Sequence, residues 1–132
     1  MIYLFDTIAR YGDIIPLKYK LDYKKFEEGL ELFGDKWVQY NPRKKIPRYG
    51  LSITSLDGGF SGRPDLDSLK EYNIEHNLNL DEPDFKTLTP IWPYVESVLS
   101  KFKNHLGRTH IIKMSAGGQF PSHRDHYDRE IP

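Results

Sequence analysis

The chain has 132 residues, 19 basic and 19 acidic, with 38% apolar and 14% aromatic content and no cysteine. That size gives one domain with a modest core, and the apolar share argues against disorder. Balanced charge removes the broad positive field that nucleic-acid partners need, and the missing cysteines exclude disulfides, thiolate metal sites and cysteine nucleophiles.

The N-terminal run Met1-Ile2-Tyr3-Leu4-Phe5 ends at Asp6, too short for a signal-peptide core, and no run approaches membrane-spanning length. These features predict a soluble cytoplasmic protein with no membrane partner. A first helix is expected over Tyr23 to Phe33. Asp22 would cap it, Phe26, Leu30 and Phe33 form its apolar stripe, and Gly34 would end it in the left-handed region. The basic cluster Arg43-Lys44-Lys45, with Arg48, reads as a solvated loop beside Pro42 and Pro47.

Tyr49 to Leu56 is strand-like, Leu51 and Ile53 alternating with Ser52 and Thr54, and Asp57-Gly58-Gly59 is a turn signal. From about 57 to 88 the chain is polar and irregular, with one short helix expected near Asp65 to Tyr72. A loop of that length in a small domain usually carries function or is partly mobile. A second helix is expected from Thr89, as cap, through Leu106, with Pro90 and Pro93 in its first turn and Ile91, Val95, Val98 and Phe102 on one face. That face should pack on the strand that follows, Thr109 to Met114. Helices first and strands late make an α+β order in a single domain over 1–132.

The chemistry-bearing stretch comes last: Ser115-Ala116-Gly117-Gly118-Gln119-Phe120-Pro121-Ser122-His123-Arg124-Asp125. In an extended segment after the Gly-Gly turn, His123 and Asp125 would share a face and reach one metal ion together. An imidazole and a carboxylate are two of the three ligands of the two-His-one-carboxylate triad that holds non-haem Fe(II). The same residues also fit a surface loop in which Asp125 pairs with Arg124 or Arg129. His-Arg-Asp opens the protein-kinase catalytic loop as well, but that motif needs an asparagine where Glu130 stands. His126 would point to the opposite face, His110 reads as a core or barrel-wall residue, and His76 and His105 have ordinary surface roles. Asp128 and Glu130 complete the nearby carboxylates.

The stretch from Gly107 to Asp125 resembles the Fe(II)- and 2-oxoglutarate-dependent oxygenases. The nearest branch is the aspartyl/asparaginyl β-hydroxylase-like group with the free-proline hydroxylases. The resemblance implies a double-stranded β-helix, the cupin-like jelly roll, with N-terminal helices packed on its first strands. It implies His123 and Asp125 as iron ligands, and Ile112 and Met114 as strand positions flanking 2-oxoglutarate. The implied activity is hydroxylation of an amino acid or amino-acid side chain, on a small-molecule or peptide substrate. The family's distal histidine and its co-substrate arginine fall beyond Pro132, so the chain is expected to be the N-terminal portion of such a domain and nearly inactive alone. Its unpaired sheet edge could then support self-association. Residues such as Phe60 and Arg63 in the 57–88 region are candidate substrate contacts. The competing expectation is a non-catalytic binding or structural module in which His123 and Asp125 are incidental or hold a structural metal.

Overall fold

A computed structural model describes Arg10, Gly12, residues 16–39 and residues 47–119. Helix α1 spans Tyr23–Leu32, and the Asp22 carboxylate accepts from the Lys25 amide at 3.2 Å, the expected cap. Its end differs from expectation. Phe33 is the C-cap, with its N–H on the Gly29 carbonyl, and Gly34 is not left-handed. Phe26, Leu30 and Phe33 all lie against the core as their spacing requires.

Strands β1 (Val38–Gln39), β2 (Arg48–Ser52) and β5 (His110–Met114) form one antiparallel sheet in the order β1-β2-β5. The short strands β3 (Thr54–Ser55) and β4 (Thr87–Leu88) form a second pair. The expected strand from Tyr49 therefore divides at Ile53. There the Ile53 and Thr54 amides share the Thr109 carbonyl, at 2.8 and 3.1 Å, while the Ile53 carbonyl accepts from the Thr89 amide. One backbone thus passes from partner β5 to partner β4 without leaving polar groups stranded.

Ser52 and Thr54, which alternate with Leu51 and Ile53, are buried as well, as is Ser55. Buried hydroxyls need partners, and each has one. Ser52 donates to Asp65, Thr54 donates to the Gly107 carbonyl at 2.7 Å, and the Ser55 hydroxyl accepts from the Gly58 amide at 2.8 Å.

The 57–88 region holds more regular structure than expected. Helix α2 covers Arg63–Leu66, helix α3 covers Leu69–His76, and a 3-10 turn covers Glu82–Asp84. Ser68 caps α3 on the Glu71 amide, and Asn77 ends it with φ 53°. Asn73 then ties down the following chain through both its side-chain atoms to Leu80.

The single helix expected over Thr89 to Leu106 is instead a 3-10 turn Trp92–Tyr94, helix α4 Glu96–Leu99 and a 3-10 segment Ser100–His105. Pro93 has no N–H to give the Thr89 carbonyl, which accepts from Trp92 instead, and the i→i+3 pattern continues through Tyr94 and Val95. Thr89 does not cap by its side chain, since its hydroxyl donates to the Ser52 carbonyl at 2.7 Å. The apolar periodicity holds for the first half of the expected face. Ile91 and Val95 are buried with Leu51 and Ile53, and Ile111 packs against that cluster, whereas Val98 and Phe102 are only half-buried and are not part of it. The fold is α+β, and no helix among the described residues is long and apolar enough to cross a membrane.

Candidate functional site

Opposed residues of an antiparallel pair point to one face of the sheet. The β2–β5 register puts Leu51 opposite Ile111 and Tyr49 opposite Lys113. Leu51 and Ile111 meet the apolar cluster with α1 and the Ile91–Val95 stretch, so this is the covered face. At its rim the Lys113 ammonium sits 4.4 Å from the Trp37 ring centroid and 5.5 Å from that of Tyr49.

The second face carries Ser52 opposite His110, Gly50 opposite Ile112, and Arg48 opposite Met114. Helix α2 covers only one half of it. A Cβ on Gly50 would meet Leu66 Cδ2 at 2.5 Å, so Leu66 occupies the space above that glycine. Asp65 on the same helix accepts from the Ser52 hydroxyl at 2.7 Å and from the Ser61 amide at 3.1 Å, both through Oδ2. Its Oδ1 is buried and meets no hydrogen-bond partner among the described residues. Burial pushes this carboxyl above its ordinary range. The Ser52 and Ser61 hydrogen bonds pull it back, Asp57 raises it a little and Arg108 lowers it.

His110, beside Ser52, is held at about 4 by burial first and then by the positive charges of Arg108 and Arg48. It is therefore a neutral imidazole at neutral pH. Arg108 secures this half of the sheet. Its guanidinium donates to the Pro64 and Asp67 carbonyls at 3.1 and 2.6 Å, pairs with Glu82, and lies over the Phe85 ring.

The other half of the face is open. Ile112 is 47% exposed and Met114 is 37% exposed, so neither belongs to the core. Past Met114 the Ser115 amide donates to the Pro47 carbonyl, and the chain turns with Gly117 at φ 77° and the Gly118 amide on the Ser115 carbonyl. The expected Gly-Gly turn is present, with Gly117 in the left-handed region. His123 and Asp125 lie outside the described residues, as do His126, Asp128, Glu130 and the cluster Arg43-Lys44-Lys45. Among the described residues, no group of three or more His, Cys, Asp or Glu could hold a metal.

Two suggested substrate contacts have partners within the fold. Phe60 packs on Phe33 with centroids 5.3 Å apart, and Arg63 pairs with Asp67 and, through two nitrogens, with Glu75. His76 stacks on Tyr72 at 4.2 Å, one turn back along α3. Sequence reasoning missed Asp65 and Arg108, whose importance comes from burial. The only signal for Asp65 was its place after Gly62-Arg63-Pro64, a helix start. A pocket of about 290 Å³ lined by Lys86, Leu88, Lys103, Asn104 and Leu106 shares none of these residues. No protein-family model, curated protein or solved structure matches this chain.

Proposed function

We propose that the open half of the β2–β5 face is the inner wall of an Fe(II)- and 2-oxoglutarate-dependent hydroxylase site of jelly-roll type, with His123 and Asp125 as metal ligands. The observation that carries the reading is the pair Ile112 and Met114. They are adjacent same-face apolar side chains, well exposed, on the strand that leads through the Gly117 turn toward His123. An apolar wall beside a ligand pair suits a site that must exclude water and seat a short carbon chain. The donor chemistry fits too, since a neutral imidazole and a carboxylate without thiolates match iron of this class better than zinc-type sulfur sites.

Fe(II) with 2-oxoglutarate would supply the O₂-dependent oxidation of a C–H bond, while the protein binds, orients and excludes water. Within this division, His123 and Asp125 would hold the metal, and Ile112 and Met114 would flank the co-substrate. His110 and Asp65 keep the neighbouring half of the face fixed. The substrate class is an amino acid or an amino-acid side chain.

The test is titration with Co(II), as an air-stable and coloured substitute for Fe(II), followed by its visible absorption. One equivalent should bind, and His123→Ala and Asp125→Ala should each weaken binding at least about tenfold, while His76→Ala and His105→Ala leave it unchanged. Cobalt binding that survives the double substitution removes both residues from the site. The same exposed row would also suit a non-catalytic module, and in that case no stoichiometric metal binding should be found.

A further inference from the structure

Strand β4 and the 3-10 segment Ser100–His105 border a cavity of about 290 Å³, lined by Lys86, Leu88, Lys103, Asn104 and Leu106. That volume lies at the small end of ligand-binding pockets. One buried residue fixes both walls. Thr54 pairs with Leu88 in the β3–β4 register, and its hydroxyl donates to the Gly107 carbonyl at 2.7 Å, next to Leu106. The Thr109 hydroxyl donates to the same carbonyl at 3.0 Å, and the Thr87 hydroxyl to the Leu56 carbonyl at 3.3 Å. The lining carries two lysines, one amide and two half-buried leucines, and no carboxylate. Lys25, Lys36, Arg63 and Arg108 each have a carboxylate partner, whereas neither the Lys86 nor the Lys103 ammonium has one among the described residues. Lys103 Nζ stands 5.9 Å from the Trp92 ring centroid, a contact with the ring face that leaves ammonium donors for a further partner.

We propose that this cavity is an anion site for a phosphate group, either free phosphate or the monoester of a small, partly apolar compound. Lys86 directly precedes β4 and Lys103 lies on the 3-10 segment, so the two charges come from separate elements on long, flexible stems. An ammonium is a compact charge with three donors. Two of them from separate walls suit a tetrahedral dianion, whereas a planar carboxylate is matched best by an arginine fork. The Asn104 amide offers a neutral N–H donor to a remaining oxygen, and Leu88 and Leu106 give a carbon chain an apolar wall. The site shares no residue with the β2–β5 face and stands independently of the hydroxylase reading.

The experiment is calorimetry and phosphorus NMR on the full chain in phosphate-free buffer, with inorganic phosphate and propyl phosphate as probes. Propanol is the uncharged control, and succinate is the carboxylate control of equal charge. At least one of the two phosphates should bind one-to-one and more tightly than succinate, and propanol should not bind. Lys86→Gln and Lys103→Gln should each weaken that phosphate about three- to tenfold, and the double variant at least about tenfold. Lys101→Gln, on the same 3-10 segment but outside the lining, should leave binding unchanged. Propyl phosphate binding more tightly than phosphate assigns the site to a monoester, and equal or weaker binding assigns it to free phosphate. Thermal unfolding of each variant reports folding, and Lys86→Gln, which disturbs no aromatic contact, keeps the test decisive if the Lys103 variant is unstable. Phosphate binding that survives the double variant, or a loss as large in Lys101→Gln, overturns the proposal. So does succinate that binds as tightly as either phosphate, or no phosphate binding at all.

Discussion

The Ser52 hydroxyl donates to Asp65 Oδ2 at 2.7 Å while the Ser52 carbonyl accepts from the Thr89 hydroxyl at the same distance. One residue of β2 thus joins helix α2 on one side and the Pro-rich 3-10 segment on the other. All three side chains are buried, so each bond lacks competition from water. Removing one partner leaves the other buried and unsatisfied.

Asp65→Ala should therefore destabilise the fold by about 2–3 kcal/mol, and Asp65→Asn by less than about 1, because an amide can still serve Ser52 and Ser61. The sign of the pH effect follows from the raised carboxyl. The native form keeps its proton above the ordinary value of 3.8, so Asp65 contributes a stability that is lost as pH rises from 3.8 through the raised native value. Denaturant unfolding of wild type and Asp65→Asn across pH 3–7 checks this: the difference between them should shift in favour of the variant as pH rises.

His110 acts in the opposite direction. Its native value is about 4 against an ordinary 6.5, so the unfolded chain binds a proton that the native one refuses. Stability from this residue is complete above 6.5 and is lost as pH falls through the window from 6.5 to 4, by at most roughly 3 kcal/mol. An NMR titration of the imidazole should give a midpoint near 4, and His110→Gln should flatten the unfolding free energy within that window. A midpoint near 6.5 would show a solvated side chain.

Arg108 fixes the 57–88 region to the start of β5 through the Pro64 and Asp67 carbonyls, with Glu82 and Phe85 as further contacts. Arg108→Ala should cost about 2–3 kcal/mol by leaving carbonyl groups unpaired, whereas Glu82→Gln, at the wet end of the ion pair, should cost under about 1. Hydrogen exchange should show α2 and α3 losing protection first in the alanine variant. Equal effects of the two substitutions would mean that the ion pair, and not the carbonyl clamp, is the main contribution.

Gly29 on α1 tests the packing against the Trp92–Tyr94 turn. A Cβ there would lie 2.6 Å from Tyr94 Cβ and 3.1 Å from Ile91 Cδ1. Alanine gains about 1 kcal/mol of helix propensity over glycine, but overpacking against a group bonded to the backbone costs about 1–3. Net destabilisation is expected in thermal unfolding. A stabilised Gly29→Ala would show that the turn can withdraw from α1 without penalty.

These particulars show which features were legible in the sequence. Local signals with a short-range cause could be read directly: the Asp22 cap, the Phe26-Leu30-Phe33 stripe and the apolar pair Leu51 and Ile53. The one short helix expected near Asp65 to Tyr72 is two, α2 and α3, and the extension of α3 to His76 was hidden because its apolar side chains form no marked stripe and Ile74 is 75% exposed. Ser68 with Glu71 three residues later, and Asn77 after the last turn, were the signs that could have revealed it. The break-up of the Thr89–Leu106 segment depended on where Thr89 finds partners, which only β2 and β3 decide. Of the candidate site, Ile112 and Met114 could be placed on one strand face from spacing, but the burial of Asp65 and the clamp of Arg108 arise from contacts 13 and 41 residues apart in sequence. His123 and Asp125 lie outside the described residues, and their assignment rests on motif and resemblance.

The most direct measurement is 2-oxoglutarate decarboxylation with Fe(II) in air by the complete product of the gene, compared between wild type and the double variant His123→Ala, Asp125→Ala. The account predicts iron-dependent succinate formation by the wild type and a fall to background, at least about a hundredfold, in the double variant. Turnover that persists without both side chains, or a wild type that forms no succinate with any of the free amino acids or peptides supplied, would contradict it.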